Sequence, residues 1–403
     1  MISRHIAIAL GIVCWLGVSL SAGLSAEADR VRGPLSQHWF VASQSDATLA
    51  QAGQAAPAAA PLMSDQVFKN IQILKGIPVD QFMDAMGMFS SSLGYDCSSC
   101  HSQEIHTDRA AFATTTPLIT RARAMINMMN GLNAANFGGR PRVTCFTCHR
   151  GSPSPEDVPS LALQYADVVD DPNAMALVRN RSVTADQVFA RYIQALGGAE
   201  RLAALTSFVA RGTYGGFNTG GADLPIEIDA KAPNQRMQIV RAPDAENVKI
   251  YDGRRAWVSE GWRPLPLMEL TGGNLEGAKI EAMASFPATI KDAYKTWQVG
   301  SGTIDDKPVQ VLQGTNAGQL PANFYFDGAG LLVRTLRWNR TPVGTVPTQI
   351  DSADYRDVAG VKMPFKIVIT WTDGQNTIAL TQVQPNVAID AAKFAAPKPF
   401  VRR

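Results

Sequence analysis

Apolar positions follow three different rules along this chain. Residues Ile6 to Leu24 form one continuous apolar run, apolar positions between residues 64 and 155 recur at helical spacing, and beyond residue 205 they alternate as in strands. In the middle region a first helix is predicted from Ser64 to Gly76, and a second follows Pro78. On the second, Phe82, Met86, Phe89 and Leu93 make one stripe. Thr116 and Pro117 are a cap and first-turn pair for a third helix, whose stripe is Leu118, Ala122, Met125, Met129 and Leu132 before a Gly138-Gly139 turn.

The later half begins with a helix over 185–196, ended by Gly197-Gly198, and a short one through Leu205. Short strands then alternate with turn residues, as at 226–230, 236–240, 248–251 and 256–259. The segments 323–326 and 331–336 form a hairpin around Asp327-Gly328-Ala329-Gly330, and 366–372 pairs with 377–382 through Asp373-Gly374. A helical insert over 275–284 interrupts the strands. The predicted architecture is multidomain: a mainly α-helical domain, then an α+β domain with a curved antiparallel sheet or open β-barrel.

Composition marks the boundaries. Arg4 and His5 before the apolar run, and Ala26-Glu27-Ala28 after it, read as a signal peptide over residues 1–28. If uncleaved, the run approaches the length of a membrane anchor. Residues 29–63 contain an Ala/Pro/Gly/Gln-rich tether, and 156–183 are a Pro-, Ser- and Asp-containing linker. The helical domain then spans 64–155 and the β-rich domain 184–403. Export places the chain in the periplasm, free, peripheral to the cytoplasmic membrane or anchored there.

Two copies of one short motif carry the chemistry. Cys97-Ser98-Ser99-Cys100-His101 and Cys145-Phe146-Thr147-Cys148-His149 both read C-x-x-C-H, the attachment sequence of c-type haem. Two thiols one helical turn apart reach one edge of a porphyrin, and the next side chain falls beneath the iron. Two covalent c-type haems are therefore expected, on Cys97 and Cys100 and on Cys145 and Cys148, with His101 and His149 as iron ligands. The chain has five cysteines, and the fifth, Cys14, lies in the leader. The rival reading, a four-cysteine zinc site, leaves both adjacent His residues unexplained.

The second axial ligand of a haem iron is usually Met or His. Outside the motifs and the leader the His residues are His38, before the tether, and His106, between Glu104 and Asp108 in a polar surface loop. Methionine is plentiful on helices that lead into the motifs, and a stripe preceding a haem site has the porphyrin as its packing partner. Met86 and Met125 lie on the stripes and are the expected ligands, with Met88 and Met129 as competitors. Met ligation implies a comparatively high potential, and filled axial positions leave one-electron transfer as the expected role.

The segment Val67 to Pro78, the following Phe82-x-x-x-Met86 helix and Val143-Thr144-Cys145-Phe146-Thr147-Cys148-His149-Arg150-Gly151 resemble the photosynthetic reaction-centre cytochrome c subunit family. The resemblance covers residues 64–155 and implies that a Met upstream of each motif, here Met86 and Met125, is the sixth ligand. Members serving reaction centres typically carry four haems and a lipid anchor. This chain has two motifs and no convincing lipobox. The expected partners are redox proteins in the periplasm or at the membrane surface, either a photosynthetic reaction centre or a respiratory complex.

Lys and Arg nearly balance Asp and Glu at a formal charge of +2, which argues against a nucleic-acid partner. No nucleophile triad, phosphate loop or further metal cluster is visible, so an electron-transfer protein rather than an enzyme is expected. The β-rich domain faintly resembles envelope lipoprotein-carrier folds through its strand pattern and the Tyr355-Arg356-Asp357 to Pro364-Phe365 segment. That resemblance implies an alternative: an envelope protein that binds a hydrophobic ligand, a lipid or quinone, and carries a haem redox module. Trp257, Trp262, Phe324, Phe326, Trp338 and Trp371 are either pocket lining or sheet core.

Overall fold

The computed structural model describes residues 60–155, 157–159, 174–243, 245–261 and 265–399. The signal peptide, Cys14, His38, nearly all of the tether, Trp262 and residues 160–173 of the linker lie outside the described residues. No helix among the described residues is long and apolar enough to cross a membrane.

The helical region contains α1 (Ser64–Val67), α2 (Val79–Leu93), α3 (Cys97–Cys100), α4 (Pro117–Phe137) and α5 (Cys145–His149). Helix α2 ends at Gly94, whose φ of 66° suits a residue without a Cβ. Helix α4 begins where the sequence marks it: Thr116 Oγ1 accepts the Ile119 N–H at 3.2 Å, Pro117 occupies the first turn, and Gly138 ends it at φ 59°.

The first expected helix, Ser64 to Gly76, is mostly absent. Only its first turn forms. Asn70 and Leu74 take left-handed backbone conformations at φ 61° and 63°, and Ser64 Oγ donates to Leu74 O at 2.7 Å. An isolated bridge from Met63 to Pro78 folds the segment back instead.

Helices α6 (Ala185–Ala195) and α7 (Ala199–Ala204) precede the sheet. Thr184 and Gln187 form a reciprocal capping box at the start of α6. The strands are β1 (Ser207–Gly216), β2 (Leu224–Lys231), β3 (Gln235–Ala242), β4 (Ala245–Tyr251), β5 (Ala256–Ser259), β6 (Leu267–Glu269), β7 (Thr296–Ile304), β8 (Lys307–Thr315), β9 (Ala322–Phe326), β10 (Leu332–Thr341), β11 (Gly344–Val358), β12 (Val361–Trp371) and β13 (Gly374–Pro385), with α8 (Gly272–Ser285) between β6 and β7. All described pairs are antiparallel, and the strand order is β6-β5-β4-β3-β2-β1-β13-β12-β11-β10-β9-β8-β7. Strands β6 and β7 are left as edges, so the sheet is open and not a closed barrel.

The β7 edge is covered by the chain's own linker. Asn180 N–H donates to Val299 O at 2.8 Å, and Ser301 N–H donates to Val178 O at 2.9 Å. One continuous core joins Val188, Tyr192 and Leu196 of α6, Ile280 and Met283 of α8, and sheet residues from Val240 on β3 to Val299 on β7. Phe324 and Phe326 are each 1% exposed within it, and Trp338 is also buried. These aromatics are packing, and Trp257 is packed with Met237, Ile250 and Phe394 on a second cluster.

The helical region and the sheet fall in the same compact unit, Ala59–Arg403. A small apolar cluster joins Ala85 and Met88 of α2, Ile126 and Met129 of α4, and Val343 and Val346 of the β10–β11 hairpin.

Candidate functional site: two C-x-x-C-H turns

Each motif is a short helical turn with a polar cap. Before α3, the Asp96 carboxylate accepts from Ser99 N and Ser99 Oγ at 2.7 Å and from Ser98 Oγ at 3.0 Å. Those hydrogen bonds hold its pKa below the usual carboxylate value. Before α5, Thr144 Oγ1 accepts the Thr147 N–H at 3.3 Å, and Thr147 Oγ1 accepts the Thr144 N–H at 3.0 Å. In both turns the two cysteines sit at i and i+3, on one side of the helix.

Cys97, Cys100, Cys145 and Cys148 are all free thiols. Burial raises the thiol pKa of Cys97 and Cys100 and pushes Cys145 up to about 11. His101 packs edge-on against Phe112 with centroids 5.0 Å apart, and its Nδ1 is buried without a hydrogen-bond partner. Burial lowers its pKa, which favours the neutral imidazole that metal binding requires. His149 Nδ1 lies 3.0 Å from Ser152 O, an arrangement that fixes the Nδ1–H tautomer and leaves Nε2 as a ligand atom.

The two turns are tied together through α2. Gly151 N–H donates to Ser92 O at 2.9 Å, and a Cβ on Gly94 would lie 2.6 Å from Gly151 O. The end of the helix that precedes the first motif thus rests on the end of the second motif.

The methionines divide by burial. Met88 and Met129 are 5% and 4% exposed, inside the cluster with Val343 and Val346. Met86 is only partly buried at the margin of that cluster, on the same stripe as Phe82, Phe89 and Leu93, which are also partly buried. Met125 is 41% exposed and continues into an exposed apolar face with Met128 and Leu132, while Phe146 of the second motif is 48% exposed. Two helices, each with apolar side chains on protein and others left half-covered or exposed, and each leading to paired thiols and an adjacent His, fit a porphyrin on the less covered side. His106 ends a 3₁₀ turn over Gln103–His106, and its side chain lies outside the described residues.

Several residues around the site carry no local sequence signal. Asp80 and Asp84 lie on α2 away from the Met86 stripe and reach elements almost two hundred residues later. Asp80 is 3% exposed, and its oxygens accept from Thr271 N at 2.6 Å and Thr271 Oγ1 at 2.8 Å. Asp84 accepts from Asn274 Nδ2 at 2.8 Å and from Asn339 Nδ2. Burial raises the Asp80 pKa and, with the Asp80 charge adding to it, pushes Asp84 up to about 6. Their spacing of four on a helix is the one sequence feature that marks them as a pair.

Paired C-x-x-C-H turns preceded by Met-bearing helices have the residue pattern that attaches c-type haem. Residues 33–192 match the family model described as the photosynthetic reaction centre cytochrome C subunit. A photosynthetic reaction center cytochrome c subunit from Rubrivivax gelatinosus is 26% identical over 113 residues, covering 26% of this chain and 30% of that protein. The chain thus spans under a third of that relative's length.

Solved structures similar to this chain match about half of it. A LolA superfamily protein from Nitrosomonas europaea covers 53% of this chain and 98% of its own, with a TM-score of 0.36 and 12% identity. A DUF1329 family protein from Desulfovibrio piger covers 52% of this chain and 96% of its own, with a TM-score of 0.36 and 11% identity.

Proposed function

We propose that this chain is an exported dihaem c-type cytochrome that passes single electrons between redox partners. Cys97 and Cys100 would hold the first haem with His101 beneath its iron, and Cys145 and Cys148 the second with His149. Met86 and Met125 would complete the two coordination spheres. Bound haem supplies a reversible one-electron ferric/ferrous couple.

The observation that carries this reading is the division of the methionines. At 100° per residue, Met86 and Met88 point about 200° apart around α2. The sheet hairpin takes Met88, which leaves Met86 on the face toward the uncovered apolar stripe. On α4, Met125 and Met129 lie only about 40° apart, and burial separates them: Met129 is inside the cluster and Met125 is 41% exposed.

The chain's own residues have three tasks in this mechanism. They fix the motif imidazoles, as Ser152 O does for His149. Their apolar side chains would border the porphyrins, lower the local dielectric and so raise the potential. They also tie the end of α2 to the end of the second motif through the Ser92–Gly151 contact. The proposed partners are redox proteins of the periplasm or membrane surface, a photosynthetic reaction centre or a respiratory complex among them.

The test is a spectroelectrochemical titration of the full chain matured with haem-attachment machinery. Two high-potential components, one lowered by Met86→His and the other by Met125→His, support the reading. Potentials indifferent to both replacements overturn the ligand assignment.

A further inference from the structure

We propose that the sheet builds part of the first haem site through the turn joining β12 to β13, and that the Asp373 carboxylate of that turn sets the potential of the first haem. This inference rests on the dihaem reading and gives the carboxy-terminal sheet a part in it.

The turn is seated on the helix that presents Met86. Gly87 lies directly after Met86 and faces the turn: a Cβ there would lie 3.2 Å from Thr372 Oγ1 and 3.5 Å from Asp373 Oδ1. A larger side chain at this position would displace the turn. The charge of the same turn reaches the first attachment cysteine. Burial raises the Cys97 thiol pKa most, and the Asp373 charge raises it further, ahead of the adjacent Asp96. The Asp373 carboxylate thus stands against α2 one residue from Met86, within the segment that would hold the first haem.

The two motifs differ in their charged surroundings. Asp96 caps the first, and the Asp373 charge reaches it from the sheet. The second is bordered by exposed Arg140, Arg142 and Arg150. Ferric haem carries one more positive charge than ferrous haem, so a nearby carboxylate favours the ferric state and lowers the potential. Removing the Asp373 charge shifts the ferrous-to-ferric ratio of the first haem toward ferrous by about three- to tenfold at a fixed poise, the size of a unit charge acting through a partly buried medium.

The experiment is a redox titration of the full chain carrying Asp373→Asn, with covalent haem counted by pyridine haemochrome. Asp373→Glu and Asp306→Asn, the latter in the β7–β8 turn, are the comparisons. The first haem is assigned from a Cys97→Ala/Cys100→Ala protein that retains only the second. The expected result is a raised midpoint for the first haem alone in Asp373→Asn, with Asp373→Glu and Asp306→Asn at the parental values. Asp373→Asn in the single-haem background should shift nothing.

An unchanged first midpoint with both haems present overturns the inference, as does an equal shift of both haems or a shift in Asp373→Glu as large as in Asp373→Asn. Should Asp373→Asn fail to retain haem, Thr372→Lys adds a compensating charge with Asp373 in place. It should raise the first midpoint, and an unmoved value overturns the inference. Absence of covalent haem from the parental chain would instead overturn the dihaem reading itself.

Discussion

Asp80 on α2 grips Thr271, the residue that starts α8, with both carboxylate oxygens: one accepts the Thr271 N–H at 2.6 Å and the other its hydroxyl at 2.8 Å. Thr271 makes no side-chain cap of its own for α8, so a carboxylate from the helical region satisfies a helix terminus in the β-rich half. Asp80→Ala leaves these donors unmatched in a buried site, at a cost of about 1–3 kcal/mol. The midpoint of chemical unfolding should fall with α2 and the sheet still unfolding in one transition. Two separate transitions in the parental protein would contradict the coupling.

Met88 and Met86 should respond in opposite ways to truncation. Met88 packs with Val343 and Val346, and its Cε stands against Gly344 in the β10–β11 hairpin. Met88→Ala should cost about 2–5 kcal/mol as a core cavity and leave both haem spectra unchanged. Met86→Ala should remove the charge-transfer band of Met-ligated ferric haem from one component. A spectral change in Met88→Ala would transfer the ligand role to it.

The carboxy-terminal segment is held by buried charge. Lys393 Nζ lies 2.8 Å from Asp229 Oδ2, a carboxylate with a fully buried side chain, and Phe394 fills the cluster with Met237 and Trp257. Lys393→Ala should cost about 1–2 kcal/mol by stranding Asp229. Faster proteolytic removal of residues beyond 386, with the rest of the chain intact, is the readout.

Glu227 gives the protein an acid-sensitive term. Burial pushes its pKa up, but Arg211, Arg241 and Lys393 outweigh burial and hold it below 4.5 in the fold. A carboxylate with a depressed folded pKa contributes stability above its unfolded value, and this is lost as pH falls through the folded value. Thermal stability should therefore drop on acidification below about pH 4.5. Glu227→Gln should be less stable than the parental protein at pH 7 and less sensitive to that drop.

Much of the haem segment was legible because its signals are local. Thr116, Pro117 and Gly138 bound α4, and the Phe82 to Leu93 stripe marks α2. The segment after Ser64 misled because its apolar residues are helically spaced, while Asn70 and Leu74 adopt left-handed turns fixed by the return to Pro78. Strand β11 shows no clean alternation, since its middle is half-exposed on both faces. β1 carries three glycines and a bulge between Arg211 and Gly212, which blurs its period.

The site's distant walls were not legible at all. Gly344, Val343, Thr372 and Asp373 belong to hairpin turns whose residue types say turn and nothing more. Their place beside α2 depends on the pairing of the whole sheet. Asp80 and Asp84 show as an acidic pair, but their partners Thr271, Asn274 and Asn339 are chosen by tertiary packing.

The most direct measurement is the covalent haem content of the full chain, by intact mass together with the pyridine haemochrome spectrum. Two haems per chain are expected, one after Cys97→Ala/Cys100→Ala and one after Cys145→Ala/Cys148→Ala. A chain that matures without covalent haem, or that carries zinc on these four cysteines, would contradict this expectation.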